Sequence, residues 1–148
     1  MEKYRILDHA ADGKFRAFGA TLEEAFGNAA LAVVSLMTDW EKVERRVVRA
    51  VAVEARGVEQ LLVKFLTEVL YLSDVRGFIL GGVEDVRIEG PGSAEEPAFR
   101  LSARFLGDDR PERYDFHGEV KAVTYSEMKI EACPRGSAAW MVQVVVDL

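Results

Sequence analysis

The sequence predicts an α+β fold, with two amphipathic helices packed on a mixed or antiparallel β-sheet. Two segments in the N-terminal half have helical periodicity, while most of the remaining chain alternates apolar and polar residues with a period of two. Strands follow one another in the C-terminal half without helices between them, which favours this class over a doubly wound fold. The length of 148 residues suits one domain, which we place at residues 1–148.

The first predicted helix begins at a capping box, Thr21-Leu22-Glu23-Glu24, in which Thr21 is the N-cap and Glu24 lies three residues further on. Its apolar residues at helical spacing are Leu22, Ala25, Phe26, Ala29, Val33, Leu36 and Met37. The second helix carries a stripe of Val58, Leu61, Leu62, Phe65, Leu66, Val69 and Leu70. Gly77 is the predicted stop of the second helix. We interpret both stripes as core packing.

Period-two alternation predicts the strands. They are expected near the N-terminus and at 14–18, 47–55, 86–88, 99–105, 120–124, 128–132 and 141–147. Glycine, proline and acidic residues predict loops at 90–97, 107–111 and 134–137, a bend at 9–13, and a turn at Gly81-Gly82.

Composition narrows the functional classes. The chain has 25 acidic and 19 basic residues and a net charge of −6, which argues against strong autonomous binding of nucleic acid. No apolar run approaches the roughly 20 residues that span a bilayer, and no signal peptide is expected at the N-terminus. The single cysteine, Cys133, cannot form an internal disulfide, which favours a cytoplasmic protein.

Familiar catalytic signatures are missing from the sequence, including phosphate-binding glycine-rich loops, Gly-x-Ser-x-Gly and a metalloprotease histidine pair. The candidate site residues are instead polar residues in apolar settings. Asp147 and the backbone carboxylate of Leu148 end the last strand, and two negative groups held together require a cation or a donor. Asp8, His9 and Asp12 crowd the bend after the first strand, and Lys121, Thr124 and Tyr125 interrupt another strand. Each of these residues, taken alone, has an ordinary structural role.

Taken together, the motifs resemble the archease family over nearly the whole chain. They are His9-Ala10-Ala11-Asp12 after the first strand, Leu22-Glu23-Glu24-Ala25-Phe26 at the start of a helix, Leu61-Leu62-Val63-Lys64-Phe65-Leu66 in the second helix, Val120-Lys121-Ala122-Val123-Thr124-Tyr125, and Asp147-Leu148. Each motif is weak alone, and their order and spacing make the match specific. Ala10 stands where the family usually has threonine, and Ser126-Glu127-Met128 replaces the usual His-x-Met.

The resemblance implies an accessory protein of the tRNA-splicing RNA ligase, with no catalytic turnover of its own. Archease-like proteins assist guanylylation of that ligase, support its multiple turnover and can broaden its nucleotide use. The resemblance also implies a divalent-cation site, whose ligands map onto Asp12, Asp147 and the terminal carboxylate of Leu148. Ca²⁺ is the expected ion, with Mg²⁺ or Mn²⁺ as alternatives, because hard cations prefer oxygen ligands. His9, Lys121, Thr124 and Tyr125 are expected to contact the partner or a phosphate.

Two other functional classes stay open at this point. A metal-dependent hydrolase or nucleotide-processing enzyme could use the same acids, although the sequence offers no obvious general base or nucleophile beside them. A general chaperone or scaffold would leave these acids merely solvated.

Overall fold

The computed structural model describes residues 2–8, 12–93, 98–133 and 139–148. The elements are β1 (Tyr4–Leu7), β2 (Gly13–Gly19), α1 (Leu22–Ser35), β3 (Val47–Ala55), α2 (Val58–Arg76), β4 (Ile79–Glu89), β5 (Phe99–Asp108), β6 (Ala122–Val123), β7 (Lys129–Ala132) and β8 (Trp140–Asp147). Short 3₁₀ helices occur at Trp40–Lys42 and Pro111–Arg113. Within these ranges, no helix is long and apolar enough to cross a membrane.

The strands form two antiparallel sheets. In the first sheet β1 pairs with β2, β2 pairs with β8, and β8 pairs on its other side with both β6 and β7. In the second sheet β5 lies between β3 and β4. The predicted α+β class with two helices on antiparallel sheet is thus confirmed, and the single expected sheet resolves into two.

Helix α1 begins as the capping box predicts. The Glu24 backbone N–H donates to Thr21 Oγ1 over 3.1 Å, which satisfies one of the free donors at the helix start. Burial of α1 goes beyond the predicted stripe, because all residues from Ala25 to Val34 are buried. The helix contacts β2 of the first sheet and β4 of the second sheet, so it lies between the sheets and is covered on opposite sides.

Helix α2 ends at the predicted stop. Gly77 has a φ of 63°, a left-handed conformation that glycine adopts without the Cβ penalty, and its N–H caps the carbonyl of Leu72. The Phe65 ring of α2 packs against Phe26 of α1 at a centroid distance of 6.2 Å and against Phe105 of β5 at 5.4 Å. These three rings join both helices to the second sheet in one core.

The predicted turn at Gly81-Gly82 is wrong, because both glycines lie inside β4. A Cβ on Gly81 would stand 2.9 Å from the carbonyl oxygen of Val43, and a Cβ on Gly82 would stand 2.8 Å from the Arg45 guanidinium. These glycines therefore allow the segment after the first 3₁₀ helix to approach the strand closely, a role that glycine often has in strands.

Other boundaries shift by a few residues. The predicted turn at 107–111 begins two residues too early, because β5 continues to Asp108. The strand predicted at 120–124 is reduced to Ala122–Val123. Part of the predicted loop at 90–97 and the predicted turn at 134–137 lie outside the described residues.

Candidate functional site

The end of β8 lies between two neighbouring strands, and this position brings distant residues together. On one side Gly13 of β2 is the register partner of Val146, and on the other side Ala122 of β6 is the partner of Asp147. Asp12 precedes Gly13 by one residue, while Asp147 follows Val146 by one residue. The antiparallel register therefore places the two aspartates at the same end of the β2–β8 pair.

Gly13 makes this close approach possible. A Cβ on Gly13 would stand 2.9 Å from Val146 Cγ2, 3.1 Å from Leu36 Cδ1 and 3.4 Å from Leu148 Cδ2. The Leu148 side chain thus reaches toward the end of α1, although 48% of the residue stays exposed. Asp147 is exposed as well, and its backbone carbonyl accepts a hydrogen bond of 2.7 Å from the Lys121 N–H. This end of β8 is held by main-chain contacts, while the Asp147 side chain faces solvent.

The residues expected to contact a partner or a phosphate differ in exposure. Lys121 is exposed, and its backbone is tied to Asp147 by the hydrogen bond described above. Tyr125 is 55% exposed. Thr124 has a structural role, because its hydroxyl donates to the Val145 carbonyl over 2.8 Å and accepts from the Ser126 N–H over 3.2 Å. His9 lies outside the described residues, and Asp8 is exposed at the end of the segment before it.

The chain between β6 and β7 bulges away from β8. The Thr124 N–H donates to the Val145 carbonyl, which continues the β6 pairing by one residue, and pairing resumes where Lys129 meets Gln143. Residues 125–128 therefore stand opposite Val144 alone. We call these four residues the 125–128 bulge. Glu127 within it has a φ of 52°, a left-handed conformation that is uncommon for a residue with a side chain.

The bulge is tied to the face of the first sheet that points away from α1. Gln143 of β8 donates from Nε2 to the Glu127 carbonyl over 2.7 Å, and its Oε1 accepts from Arg16 Nε over 2.9 Å. Gln143 is only 2% exposed, which is possible because both ends of its amide have hydrogen-bond partners. The polar network of Arg16, Gln143 and Glu127 thus fixes the position of the bulge over β8.

An ion pair extends this network toward the aspartates. Lys14 Nζ of β2 lies 3.2 Å from Glu127 Oε1, and the lysine side chain is 18% exposed. Lys14 stands two residues after Asp12, and its register partner Val145 stands two residues before Asp147. Side chains two residues apart on a strand share a face, so Lys14 lies on the same face of the first sheet as Asp147.

Sequence reasoning did not single out Lys14, Arg16 or Gln143, and it noted Glu127 only as part of the Ser126-Glu127-Met128 departure from the family pattern. A second signal is Gln143, a polar side chain inside the apolar run of the last strand. Lys14 and Glu127 are separated by 113 residues, and only the bulge brings them together.

The donor set is suited to hard cations. Among the described residues, no group of three His, Cys, Asp or Glu side chains is arranged to hold a metal ion. The ligand set expected from the resemblance needs only two such side chains, because its third member is a backbone carboxylate. Oxygen ligands of this kind fit Ca²⁺, Mg²⁺ or Mn²⁺ better than zinc or copper.

Comparison with known proteins identifies the family. The archease protein family (MTH1598/TM1083) matches residues 4–148 of this chain. The archease of Thermococcus kodakarensis is 42% identical and that of Pyrococcus abyssi 38% identical, each with all of both chains covered. The archease of Methanosarcina mazei is 39% identical, with 99% of this chain and 97% of the relative covered.

A solved structure shares the fold. The solution structure of protein 1598 of Methanobacterium thermoautotrophicum superposes on the whole chain with a TM-score of 0.80 and 30% sequence identity, and all of that chain is covered. The order of motifs, the full-length matches and the shared fold agree with one another. The chain belongs to the archease family.

Proposed function

We propose that this protein is an accessory factor of a tRNA-splicing RNA ligase that promotes guanylylation and multiple turnover of the ligase. Family membership supports this role. One structural observation supports the proposal about which part of the protein contacts the ligase. The pairing of Gly13 with Val146 puts their chain neighbours Asp12 and Asp147 at the same end of the β2–β8 pair, although the two residues lie at opposite ends of the sequence. We propose that this end enters the active site of the ligase.

The oxygen donors at this end are compatible with a divalent cation. Asp12, Asp147 and the backbone carboxylate of Leu148 would hold it, with Ca²⁺ as the favoured ion and Mg²⁺ or Mn²⁺ as alternatives. When bound, such a cation supplies positive charge that stabilises phosphate oxygens. Because the proposed ligands are distant in sequence, the site would form only in the folded chain, and the cation should also stabilise the fold.

Exposed side chains near this end provide contacts with the ligase or its nucleotide. Tyr125 is the first residue of the 125–128 bulge and is highly exposed. Tyrosine is a frequent anchor in protein interfaces. The Lys121 ammonium can reach phosphate groups, since the residue is exposed next to Asp147. His9 is a further contact by the family pattern. Thr124 contributes indirectly by holding the strand end in place.

The protein's own part in this scheme is binding and positioning, with bond-making left to the ligase. Its single cysteine is free, and we propose that it works in a reducing cytoplasm. The oxygen donors alone would also suit a metal-dependent hydrolase. Incubating the purified chain with GTP and Ca²⁺ or Mn²⁺ in the absence of ligase separates the two roles, because an accessory factor releases no phosphate under these conditions.

The test is a multiple-turnover ligation assay with a tRNA-splicing ligase from the same organism and RNA halves that end in a 2′,3′-cyclic phosphate and a 5′-hydroxyl. We expect the wild-type chain to raise the number of turnovers per ligase, and Asp12→Asn and Asp147→Asn to reduce this stimulation at least tenfold. Asp74→Asn is the matched control, because Asp74 is an exposed carboxylate on α2. Full stimulation by the Asp12 and Asp147 variants would refute the proposed location.

The position of Leu148 allows a separate test. Adding one alanine after Leu148 moves the backbone carboxylate away from Asp147 while all side chains are kept. We expect stimulation to fall and the melting temperature without added metal to change little. An extended chain that stimulates the ligase normally would exclude the terminal carboxylate as a ligand.

A further inference from the structure

The two edges of the second sheet are built differently. Its outer strands are β3 and β4, and each pairs with β5 on one side. The register of β4 shifts between Leu80 and Gly82 and again between Glu84 and Arg87, where Asp85 has a φ of 53°. Bulges and charged side chains of this kind keep an edge strand from pairing with another chain. The β4 edge is therefore protected.

The β3 edge is regular. Every residue of Val47–Ala55 keeps a continuous register with β5, and the strand contains no proline. Among the described residues, no backbone other than that of β5 hydrogen-bonds to this strand. The one charge in its middle, Arg49, lies on the inward face, with its guanidinium carbon 6.0 Å from the centre of the Phe78 ring. A long and regular edge strand is a template for the addition of a further strand.

The outward side chains along β3 are apolar in the middle and charged at both ends. Val48, Ala50 and Ala52 share the outward face and are exposed. Arg46, which directly precedes the strand, and Glu54 near its end are also exposed and carry opposite charges. Each of these two charges stands four residues from Ala50. The pattern is therefore complementary to its own reverse.

We infer that β3 is a dimer interface, occupied by β3 of a second copy of this chain in antiparallel orientation and centred on Ala50. In this register Arg46 of each copy lies opposite Glu54 of the other copy, and Val48 lies opposite Ala52. The two Ala50 residues meet at the two-fold axis, as a symmetric interface requires. Cross-strand pairs of opposite charge and of apolar side chains stabilise such a pairing.

The ion pairs within one copy do not oppose this arrangement. Arg46 lies 3.4 Å from Glu44, and Glu54 lies 3.2 Å from Arg100, in both cases between side chains that are more than half exposed. Exposed pairs contribute little to stability, so their exchange for cross-strand pairs costs little. The interface uses residues of the second sheet, whereas the proposed cation site lies in the first sheet. Dimerisation and cation binding can therefore succeed or fail separately.

Sedimentation velocity of the full chain, from micromolar to millimolar concentration, measures the self-association. We expect the wild type to become dimeric within this range. Ala50→Lys should stay monomeric throughout, because it sets two ammonium groups opposite each other at the two-fold axis. A wild type that is monomeric at every concentration refutes the second copy as occupant and leaves the edge to a strand of another protein. An Ala50→Lys variant that dimerises like the wild type refutes the interface.

Charge reversal tests the register. Arg46→Glu and Glu54→Arg each place like charges opposite each other twice per dimer, so we expect each change to weaken dimerisation about tenfold. The double variant restores opposite charges in both pairs and should dimerise with nearly the wild-type Kd. A general effect of net charge cannot weaken both single variants, because the two changes shift the net charge in opposite directions. Single effects that simply add in the double variant contradict the register.

A disulfide locates the two-fold axis. The variants are made in a Cys133→Ser background, since Cys133 is the single cysteine of the chain. Ala50→Cys places two thiols on directly opposed residues, whose Cα atoms lie about 4.5–5.5 Å apart, within the range of a disulfide. Ala52→Cys is the matched control, because the two copies of position 52 are offset by about 13 Å along the strands.

After mild oxidation we expect a covalent dimer of the Ala50→Cys variant and none of the Ala52→Cys variant. Non-reducing gel electrophoresis measures the yield, and circular dichroism verifies that each variant keeps its fold. Equal yields from the two variants, or no covalent dimer from Ala50→Cys, would contradict an axis at Ala50.

Discussion

The outward faces of the two sheets use charged residues in different ways. On the second sheet, Arg104 pairs with Glu84 and Asp85 at 3.5 Å, and Arg100 pairs with Glu54 at 3.2 Å, with all five side chains about half exposed or more. Exposed pairs of this kind contribute little to stability.

On the first sheet, the outward polar contacts beside the 125–128 bulge are partly or wholly shielded. Gln143 is 2% exposed and the Lys14 side chain 18% exposed, because the 125–128 bulge covers this part of β8. Hydrogen bonds that lie in such positions are costly to break, since water cannot readily replace the lost partner. The difference indicates that the polar contacts beside Asp12 and Asp147 hold a fixed geometry. The ion pairs on the outward face of the second sheet can be replaced with little effect on stability.

The largest expected effect tests this shielding. Gln143→Leu removes two hydrogen bonds and leaves Arg16 and the Glu127 carbonyl without their partner, so we expect a loss of about 3 kcal/mol in the free energy of unfolding. Urea denaturation measures it. A variant as stable as the wild type would contradict the difference between the two faces. The polar network around Gln143 would then contribute no more to stability than the exposed ion pairs do.

An intermediate effect is expected at the end of β5, where the second sheet has a buried polar contact of its own. Asp108 is 1% exposed, and its Oδ2 accepts a 2.6 Å hydrogen bond from the Tyr114 hydroxyl. That hydrogen bond is the main reason why the pKa of Asp108 lies below its usual value, and the Arg110 N–H assists, although burial opposes the shift. We expect Tyr114→Phe to reduce the free energy of unfolding by about 2 kcal/mol at pH 7.

The pH dependence of this variant follows from the lowered pKa. A carboxyl with a depressed pKa in the folded state stabilises the protein above its unfolded pKa, and this contribution is lost as the pH falls through the folded pKa. The difference in stability between wild type and Tyr114→Phe should therefore be constant near neutral pH and narrow below about pH 4. Urea denaturation at pH 7 and at pH 3 measures it, and a difference that widened in acid would contradict the assigned cause.

The smallest effect is expected on the exposed face of the second sheet. Arg104→Gln removes two ion pairs at 3.5 Å between side chains that are about half exposed, and we expect the free energy of unfolding to change by less than about 0.5 kcal/mol. Thermal unfolding at low and high salt is the measurement. A loss comparable to that of Gln143→Leu would show that exposure does not separate the two faces.

Local signals allowed much of the fold to be predicted. The cap at Thr21, the stop at Gly77 and the period-two strands each depend on residues close in sequence, and the structure has all of them. The burial of every residue of α1 from Ala25 to Val34 could not be predicted from its stripe, because it results from two sheets that pack on opposite sides of the helix. The Gly81-Gly82 pair is mistaken for a turn because its role also depends on a distant part of the chain. The segment that approaches these glycines lies far away in sequence.

The candidate site divides in the same way. Asp12 and Asp147 could be singled out from their motifs, whereas the Lys14–Glu127 pair depends on a bulge that no local pattern indicates. A few extra residues between two strand segments leave the apolar–polar alternation intact on both sides. The sequence therefore predicts the strands but gives no sign of the bulge between them. Glu127 lies in the segment that departs from the usual His-x-Met of the family, a position that draws attention without revealing its partner.

The position of α1 between the sheets has a consequence for folding kinetics. A helix that is enclosed on opposite sides gains most of its stabilisation only after strands from both halves of the chain have assembled around it. The residues that pack around the helix are separated by long stretches of sequence. Such topologies fold slowly, because the chain loses the entropy of loop closure before the non-local contacts stabilise it. The two sheets should therefore assemble and unfold in a single cooperative step, with neither one persisting as an independent intermediate.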